Sequence, residues 1–119
     1  SYRTRIHEAW SSGPGFGGRY VITSIGCGTE CRIVLVGDYQ TGRIVDLGIG
    51  GWDQPALELQ YDNESTFLTA RWRDRVAAEC NTQRFEWRSM SLQALDEPTI
   101  VPDPDYNGCD PLPGGDVGR

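Results

Sequence analysis

Residues 16–47 constrain the fold most, because three runs rich in β-branched residues are separated there by two short segments that favour turns. This pattern predicts a three-stranded antiparallel meander. The first turn lies between Cys27 and Cys31, so a disulfide could lock it covalently. The second turn reads Asp-x-x-Thr-Gly, in which Asp38 would accept local backbone hydrogen bonds and Gly42 would take a positive φ.

The second half of the chain carries further strand signals. Apolar and polar residues alternate over 56–61, 66–73 and 82–88, and residues 90–94 can continue a seventh strand. The expected fold class is all-β: an antiparallel meander of six to seven strands, curled into a sandwich or partial barrel with propeller-blade-like hairpins, after a short helix at residues 3–10. A strand fits residues 3–10 almost as well as the helix. A closed propeller is excluded for a monomer, because four blades of about 40 residues need a longer chain. Two aromatic residues are predicted to face inward, Phe85 and Trp87.

Composition divides the chain into a predicted β-domain, residues 1–95, and a proline-rich acidic tail or strap, residues 96–119. The tail contains six acidic residues against Arg119 alone, so most of the formal net charge of −6 lies there. Its prolines argue against ladders and helices, and Cys109 favours a strap over a disordered tail. An acidic chain binds nucleic acid poorly, whereas its negative electrostatic field favours a basic protein partner.

The four cysteines predict two disulfides and an oxidising compartment, so we expect a periplasmic or secreted protein. Three pairings remain open: Cys27 and Cys31 bridge each other, or each pairs with Cys80 or Cys109. A four-thiolate zinc site is the competing interpretation, but it needs two paired knuckles, and Cys80 and Cys109 each stand alone in the sequence. No apolar run approaches the roughly 20 residues that span a bilayer, so no membrane insertion is expected.

The sequence predicts no catalytic residues and no cofactor. His7 is the only histidine and no Gly-x-Ser-x-Gly elbow accompanies it, which argues against nucleophilic catalysis. A pair of carboxylates such as Glu58 and Asp46 could serve a hydrolase only if the two converged, and both fit outward positions on strands. Asp38 and the Asp62-Asn63-Glu64 segment offer oxygens for calcium, but they also suit ordinary turns, so no metal is predicted.

Three groups of residues are candidates for binding a partner. The first is a glycine-rich loop with a large aromatic residue, which is either an exposed anchor or an inward cap on the core. The second is the cysteine-flanked turn, a rigid tip that could enter a partner's cleft. The third is a set of arginines that would share one face if their strands pair, and that otherwise form a solvated surface. The candidates of the glycine-rich loop are Trp52 and Asp53, and those of the cysteine-flanked turn are Gly28, Thr29 and Glu30. The arginine set consists of Arg71, Arg73, Arg84 and Arg88.

The segment at 13–20, Gly-Pro-Gly-Phe-Gly-Gly-Arg-Tyr, and the segment at 26–31, Gly-Cys-Gly-Thr-Glu-Cys, give the chain a distinctive pair of motifs. Together with Thr-Arg-Ile at 4–6 and the Asp-x-x-Thr-Gly turn, they resemble a group of small uncharacterised exported bacterial proteins. That group carries a Pro-x-Phe-x-Gly-x-Tyr segment and a Gly-Cys-Gly-Thr-x-Cys hairpin turn. The resemblance covers about residues 4–90 and implies bacterial export and a β-rich fold, with no activity attached.

These features favour a non-catalytic exported protein that binds a macromolecular partner. An inhibitor or immunity protein acting against a secreted cell-wall-degrading enzyme is the expected form. The alternative is a small periplasmic hydrolase or an anionic-ligand-binding protein that uses the arginine face, and a structural envelope component is a third. The identity of the partner and the oligomeric state stay open.

Overall fold

The structure is a computed structural model that describes Glu8, residues 10–104, Cys109 and Leu112. The described residues form eight strands and one short 3-10 turn, Gly51–Asp53. In chain order the strands are β1 (Tyr20–Gly28), β2 (Cys31–Asp38), β3 (Ile44–Gly50), β4 (Glu58–Gln60), β5 (Phe67–Asp74), β6 (Glu79–Arg88), β7 (Ser91–Ala94) and β8 (Thr99–Pro102).

Strands β1, β2 and β3 form the predicted antiparallel meander and make up the first sheet. Ile22 lies opposite Val36, and Val36 lies opposite Val45, so these apolar side chains share one face. Alternation along each strand sends that face toward the interior, where Val34 and Val36 are fully buried. The prediction for residues 16–47 is therefore confirmed.

The Asp-x-x-Thr-Gly turn after β2 has the predicted chemistry. Asp38 Oδ1 accepts a hydrogen bond of 2.9 Å from the Gln40 backbone N–H, and Gly42 adopts a φ of +77°. A contact that was not predicted is made by Arg19, whose guanidinium donates two hydrogen bonds of 2.8 Å to the Asp38 carboxylate. Thr41 Oγ1 adds a third side-chain donor. The buried carboxylate thus ties the start of β1 to the β2–β3 turn.

Asp38→Asn should lower stability at neutral pH and flatten its acid dependence. Hydrogen bonds from Arg19 hold the pKa of Asp38 far below its usual value. Because the folded-state pKa is lowered, ionised Asp38 stabilises the fold above pH of about 4, and that contribution is lost as the pH falls further. Urea unfolding from pH 7 to pH 2 tests this, with Asp46→Asn as a control of equal charge change. Parallel pH curves for wild type and Asp38→Asn would contradict it.

The second sheet contains β4, β5, β6 and β7 in that order, and β8 also pairs with β6. The two short strands lie one after the other along the same edge of β6, with β7 beside residues 85–88 and β8 beside residues 79–82. The sequence predicted six or seven strands, and this count was wrong because β8 lies in the proline-rich stretch. Pro98 precedes β8 and Pro102 ends it, so three residues between the prolines remain to pair at the edge.

One hydrophobic core joins the two sheets, which do not close into a barrel within the described residues. Phe85 and Trp87 of β6 are buried in it as predicted. Leu57 and Leu59 enter it from the segment around β4, and Phe16, which precedes β1, is fully buried in it. The outer faces of the two sheets therefore lie on opposite sides of the molecule.

The described elements do not include the N-terminal helix predicted at residues 3–10. That segment lies mostly outside the described residues; within it and next to it, Glu8, Trp10 and Ser11 have helical conformation. Trp10 stacks on Tyr39 with ring centroids 4.8 Å apart, and it lies so close to Gly37 that a Cβ there would come within 2.3 Å of its ring. No helical segment in the described part of the chain has the length and apolar character needed to cross a membrane.

Both predicted disulfides are present. Cys27 pairs with Cys31, and Cys80 pairs with Cys109. The paired sulfurs are typical of a protein that matures in an oxidising, extracellular or periplasmic environment. Strand β8 and Cys109 lie beyond residue 95, so the chain after the predicted domain boundary returns to the second sheet, while the boundary itself stays a prediction.

Candidate functional site

The tip of the β1–β2 hairpin is fixed by a bulge and a disulfide. Gly26 pairs with Arg32 and Gly28 pairs with Cys31, so Cys27 is an extra residue in β1. The Cys27–Cys31 bridge spans this bulge with Cα atoms 5.0 Å apart. The turn residues Thr29 and Glu30 follow directly, and they lie on a loop closed covalently at its base.

The glycine-rich loop after β3 needs glycine for its shape. Gly50 has a φ of +114°, and a Cβ at this position would lie 2.6 Å from the Arg32 carbonyl oxygen. The close backbone contact lets the chain leave β3 and pass over the neighbouring hairpin in the 3-10 turn that contains Trp52. Gln54 fastens the loop, because its Oε1 accepts a hydrogen bond of 3.0 Å from the Gly50 N–H.

Trp52 rests on the tip of the hairpin. A Cβ at Gly28 would lie 2.7 Å from Trp52 Cη2 and 2.9 Å from its Cζ2, so only glycine leaves room for the indole edge. The side chain nevertheless remains 66% exposed, in place of turning inward to cap the core. Two candidates that the sequence placed separately, the aromatic loop and the cysteine-flanked turn, are thus in contact.

The turn between β5 and β6 completes the same site. Arg75 forms an ion pair with Glu30 of the hairpin tip, and Val76 next to it is 98% exposed. Asp74 shapes the turn, because its Oδ1 accepts hydrogen bonds of 3.0 and 2.9 Å from the N–H groups of Val76 and Ala77. The hairpin tip and the β5–β6 turn are therefore connected directly.

Two backbone hydrogen bonds hold the loop after β3 between its neighbours. The Ala56 N–H donates to the Glu30 carbonyl at 2.8 Å, and the Arg73 N–H donates to the Pro55 carbonyl at 2.9 Å. Segments from three parts of the chain are thus joined at one end of the molecule. Such cross-linking fixes exposed side chains before any partner arrives.

These segments surround an open cleft of about 560 Å³, which has the size of a ligand pocket. Its lining residues are Thr29, Trp52, Asp53, Pro55, Trp72, Arg73, Asp74, Arg75 and Val76. We call this the Trp52 cleft. Four of its members were candidates from the sequence, namely Thr29, Trp52, Asp53 and Arg73. The contributions of Asp74, Arg75 and Val76 were missed, because only the folded chain places the β5–β6 turn beside the hairpin tip.

The arginine candidates do share one face, as the pairing of β5 with β6 requires. Arg71 lies opposite Thr82 and Arg73 lies opposite Cys80, while Arg84 and Arg88 follow on the same side of β6. Arg71 Nε donates a hydrogen bond of 3.0 Å to Thr82 Oγ1. This face is the outer surface of the second sheet.

Carboxylates of the chain itself occupy this arginine face. Arg73 forms an ion pair with Asp103, with the nitrogen and oxygen 2.9 Å apart. The corresponding distances are 2.7 Å between Arg84 and Asp96 and 2.6 Å between Arg88 and Glu86. Hydrogen bonds from Arg84 lower the pKa of Asp96, as expected of an ion pair. The face is therefore largely compensated, and two of its three partners come from the chain after residue 95.

Described residues after residue 95 also contact the second sheet elsewhere. The Asp103 N–H donates to the Ala78 carbonyl at 2.7 Å, and Cys109 is bonded to Cys80. Farther along, Leu112 is buried, and its N–H donates to Glu58 Oε2 at 3.4 Å. These contacts attach the described residues of this segment to the second sheet, and its assignment as a strap stays a prediction.

The remaining sequence candidates are not brought together. Asp46 of β3 and Glu58 of β4 point outward from opposite sheets, because their neighbours Leu47 and Leu59 are buried in the shared core. His7 lies outside the described residues. Asp62 Oδ1 accepts a hydrogen bond from the Glu64 N–H at 2.9 Å, as in an ordinary turn. Within the described ranges, no three His, Cys, Asp or Glu side chains converge as metal ligands.

Comparisons of the chain with protein-family models, with curated proteins and with solved structures found no match. The chemistry of the Trp52 cleft and of the arginine face is therefore the basis for a function. Of these two surfaces, the cleft combines an exposed aromatic ring with a fixed backbone, whereas the arginine face already carries its counter-ions.

Proposed function

We propose that this protein is a non-catalytic exported protein that binds a macromolecular partner through the Trp52 cleft. In this proposal it acts in the periplasm or outside the cell as an inhibitor or immunity protein. Its partner is a secreted enzyme that degrades cell walls. The hairpin tip and Trp52 enter the active-site cleft of that enzyme and block it.

The contact between Trp52 and Gly28 is the observation that carries the proposal. It holds a large aromatic side chain in place while leaving two thirds of it accessible, and a disulfide closes the turn beneath it. Tryptophans of this kind supply much of the binding energy at protein interfaces. A tip that is already ordered also loses little conformational entropy when it binds.

Trp52→Ala should weaken binding of the partner by about 30-fold or more, the effect expected for loss of a hot-spot residue. The protein would first be used to capture a secreted wall hydrolase, and its inhibition of peptidoglycan hydrolysis by that enzyme would then be measured. Affinity and inhibition should decline together, because both depend on the same anchor.

Phe67→Ala is the matched control for this experiment. Phe67 is also an exposed aromatic residue, at 51%, but it lies on the outer face of the second sheet and does not line the Trp52 cleft. Its removal should leave affinity unchanged. Equal affinity of the Trp52→Ala variant and the wild type would refute the proposed site, and a wild type that inhibits no wall hydrolase would refute the proposed function.

A further inference from the structure

The Trp52 cleft is acidic despite its two arginines. Arg73 is paired with Asp103 and Arg75 is paired with Glu30, so neither presents an uncompensated charge to the cleft. Asp53 and Asp74 also line it, and they form no ion pair with any residue that the structure describes. Two carboxylates therefore dominate its charge, in a chain whose formal net charge is already −6.

The aromatic side chains add a second recognition element. Trp52 offers an exposed indole at the rim, and Trp72 contributes a partly buried ring that packs against the core. An indole face attracts a cation by its quadrupole, and a planar guanidinium stacks on it while keeping its N–H groups in the ring plane for carboxylates. Tryptophan beside aspartate thus suits a guanidinium better than an apolar or anionic group.

We propose that the Trp52 cleft receives an arginine side chain from the partner. The guanidinium stacks on Trp52 and donates hydrogen bonds to the carboxylates of Asp53 and Asp74. This rests on the proposed function, since it names the group by which the partner is recognised. A cleft of about 560 Å³ has room for such a side chain together with the backbone that carries it.

Short blocked peptides test this without the natural partner. Acetyl-Gly-Arg-Gly-amide is titrated into the protein while the signal of the Trp52 indole N–H is followed by NMR. The citrulline peptide has the same shape without the charge, and the glutamate peptide reverses the charge. We expect saturable shifts with the arginine peptide and at least about tenfold weaker binding of the other two.

Asp53→Asn identifies the carboxylate, with Asp46→Asn as its control. Both aspartates are exposed, but Asp46 lies on β3 away from the cleft. Asp53→Asn should weaken binding of the arginine peptide by about threefold or more, and Asp46→Asn should leave it unchanged. Equal effects of the two substitutions would point to the general field of the chain and overturn the proposed contact.

Different results would refute the arginine site and the proposed inhibitory function. If the arginine peptide does not bind at about 10 mM, or if citrulline binds equally well, the arginine site is refuted even when Trp52→Ala abolishes inhibition of the enzyme. If Trp52→Ala leaves inhibition intact while the arginine peptide binds the cleft, the proposed inhibitory surface is refuted and the arginine site stands.

Discussion

Replacing Cys80 and Cys109 together with serine is expected to lower the free energy of unfolding by about 3–4 kcal/mol. The bridge joins residues 29 apart in sequence, so the unfolded chain gains the freedom of a long loop when the bridge is removed. The folded state also loses the covalent link between the second sheet and the segment after residue 95 that contains Asp103 and Leu112. The loss is large beside the total stability of a domain of this size.

The double replacement of Cys27 and Cys31 provides the comparison. These cysteines are only four positions apart in the sequence, so the same chain-entropy argument gives about 2 kcal/mol. Denaturant unfolding of both double variants measures the difference. Binding of the partner should respond in the opposite order. Loss of the Cys27–Cys31 bridge should weaken binding more than loss of the Cys80–Cys109 bridge, because the shorter bridge supports the turn on which Trp52 rests. An equal or larger destabilisation from removing Cys27–Cys31 would contradict the loop-length argument.

The meander could be predicted from the sequence because its determinants are local. Strand alternation, the two turns and the pairing of Cys27 with Cys31 all involve residues near one another along the chain. At Asp38, local sequence predicts one contact and not the other. Its hydrogen bond with Gln40 followed from the turn sequence, but its ion pair with Arg19 spans 19 residues and depends on strand register.

The Trp52 cleft could be predicted only in pieces. The sequence marked the aromatic loop and the disulfide turn as candidates, yet nothing local indicated that Gly28 would receive the indole. The Arg75–Glu30 ion pair joins the two sheets, and it could not be predicted from local sequence either. The proline content also argued against a strand at β8. This strand forms nevertheless, because it lies at the edge beside β6, where flanking prolines are tolerated as they are not in a central strand.

Trp87→Ala is expected to lower the free energy of unfolding by about 3–5 kcal/mol, the usual result of truncating a buried tryptophan. Trp87 lies in the core at 2% exposure, between the two sheets, and meets Tyr20 edge-on with ring centroids 6.1 Å apart. The truncation leaves a cavity that the paired strands on either side cannot readily fill. Urea unfolding at neutral pH measures the loss.

Trp52→Ala makes the same chemical change in a different environment and should cost only about 0.5–1 kcal/mol, because most of that side chain is already in water. The two variants thus separate stability from binding: Trp87→Ala should lose stability and, where it remains folded, keep its affinity, whereas Trp52→Ala should keep stability and lose affinity. Comparable destabilisation by the two substitutions would mean that Trp52 is part of the core, and the exposed anchor on which the binding surface depends would not exist.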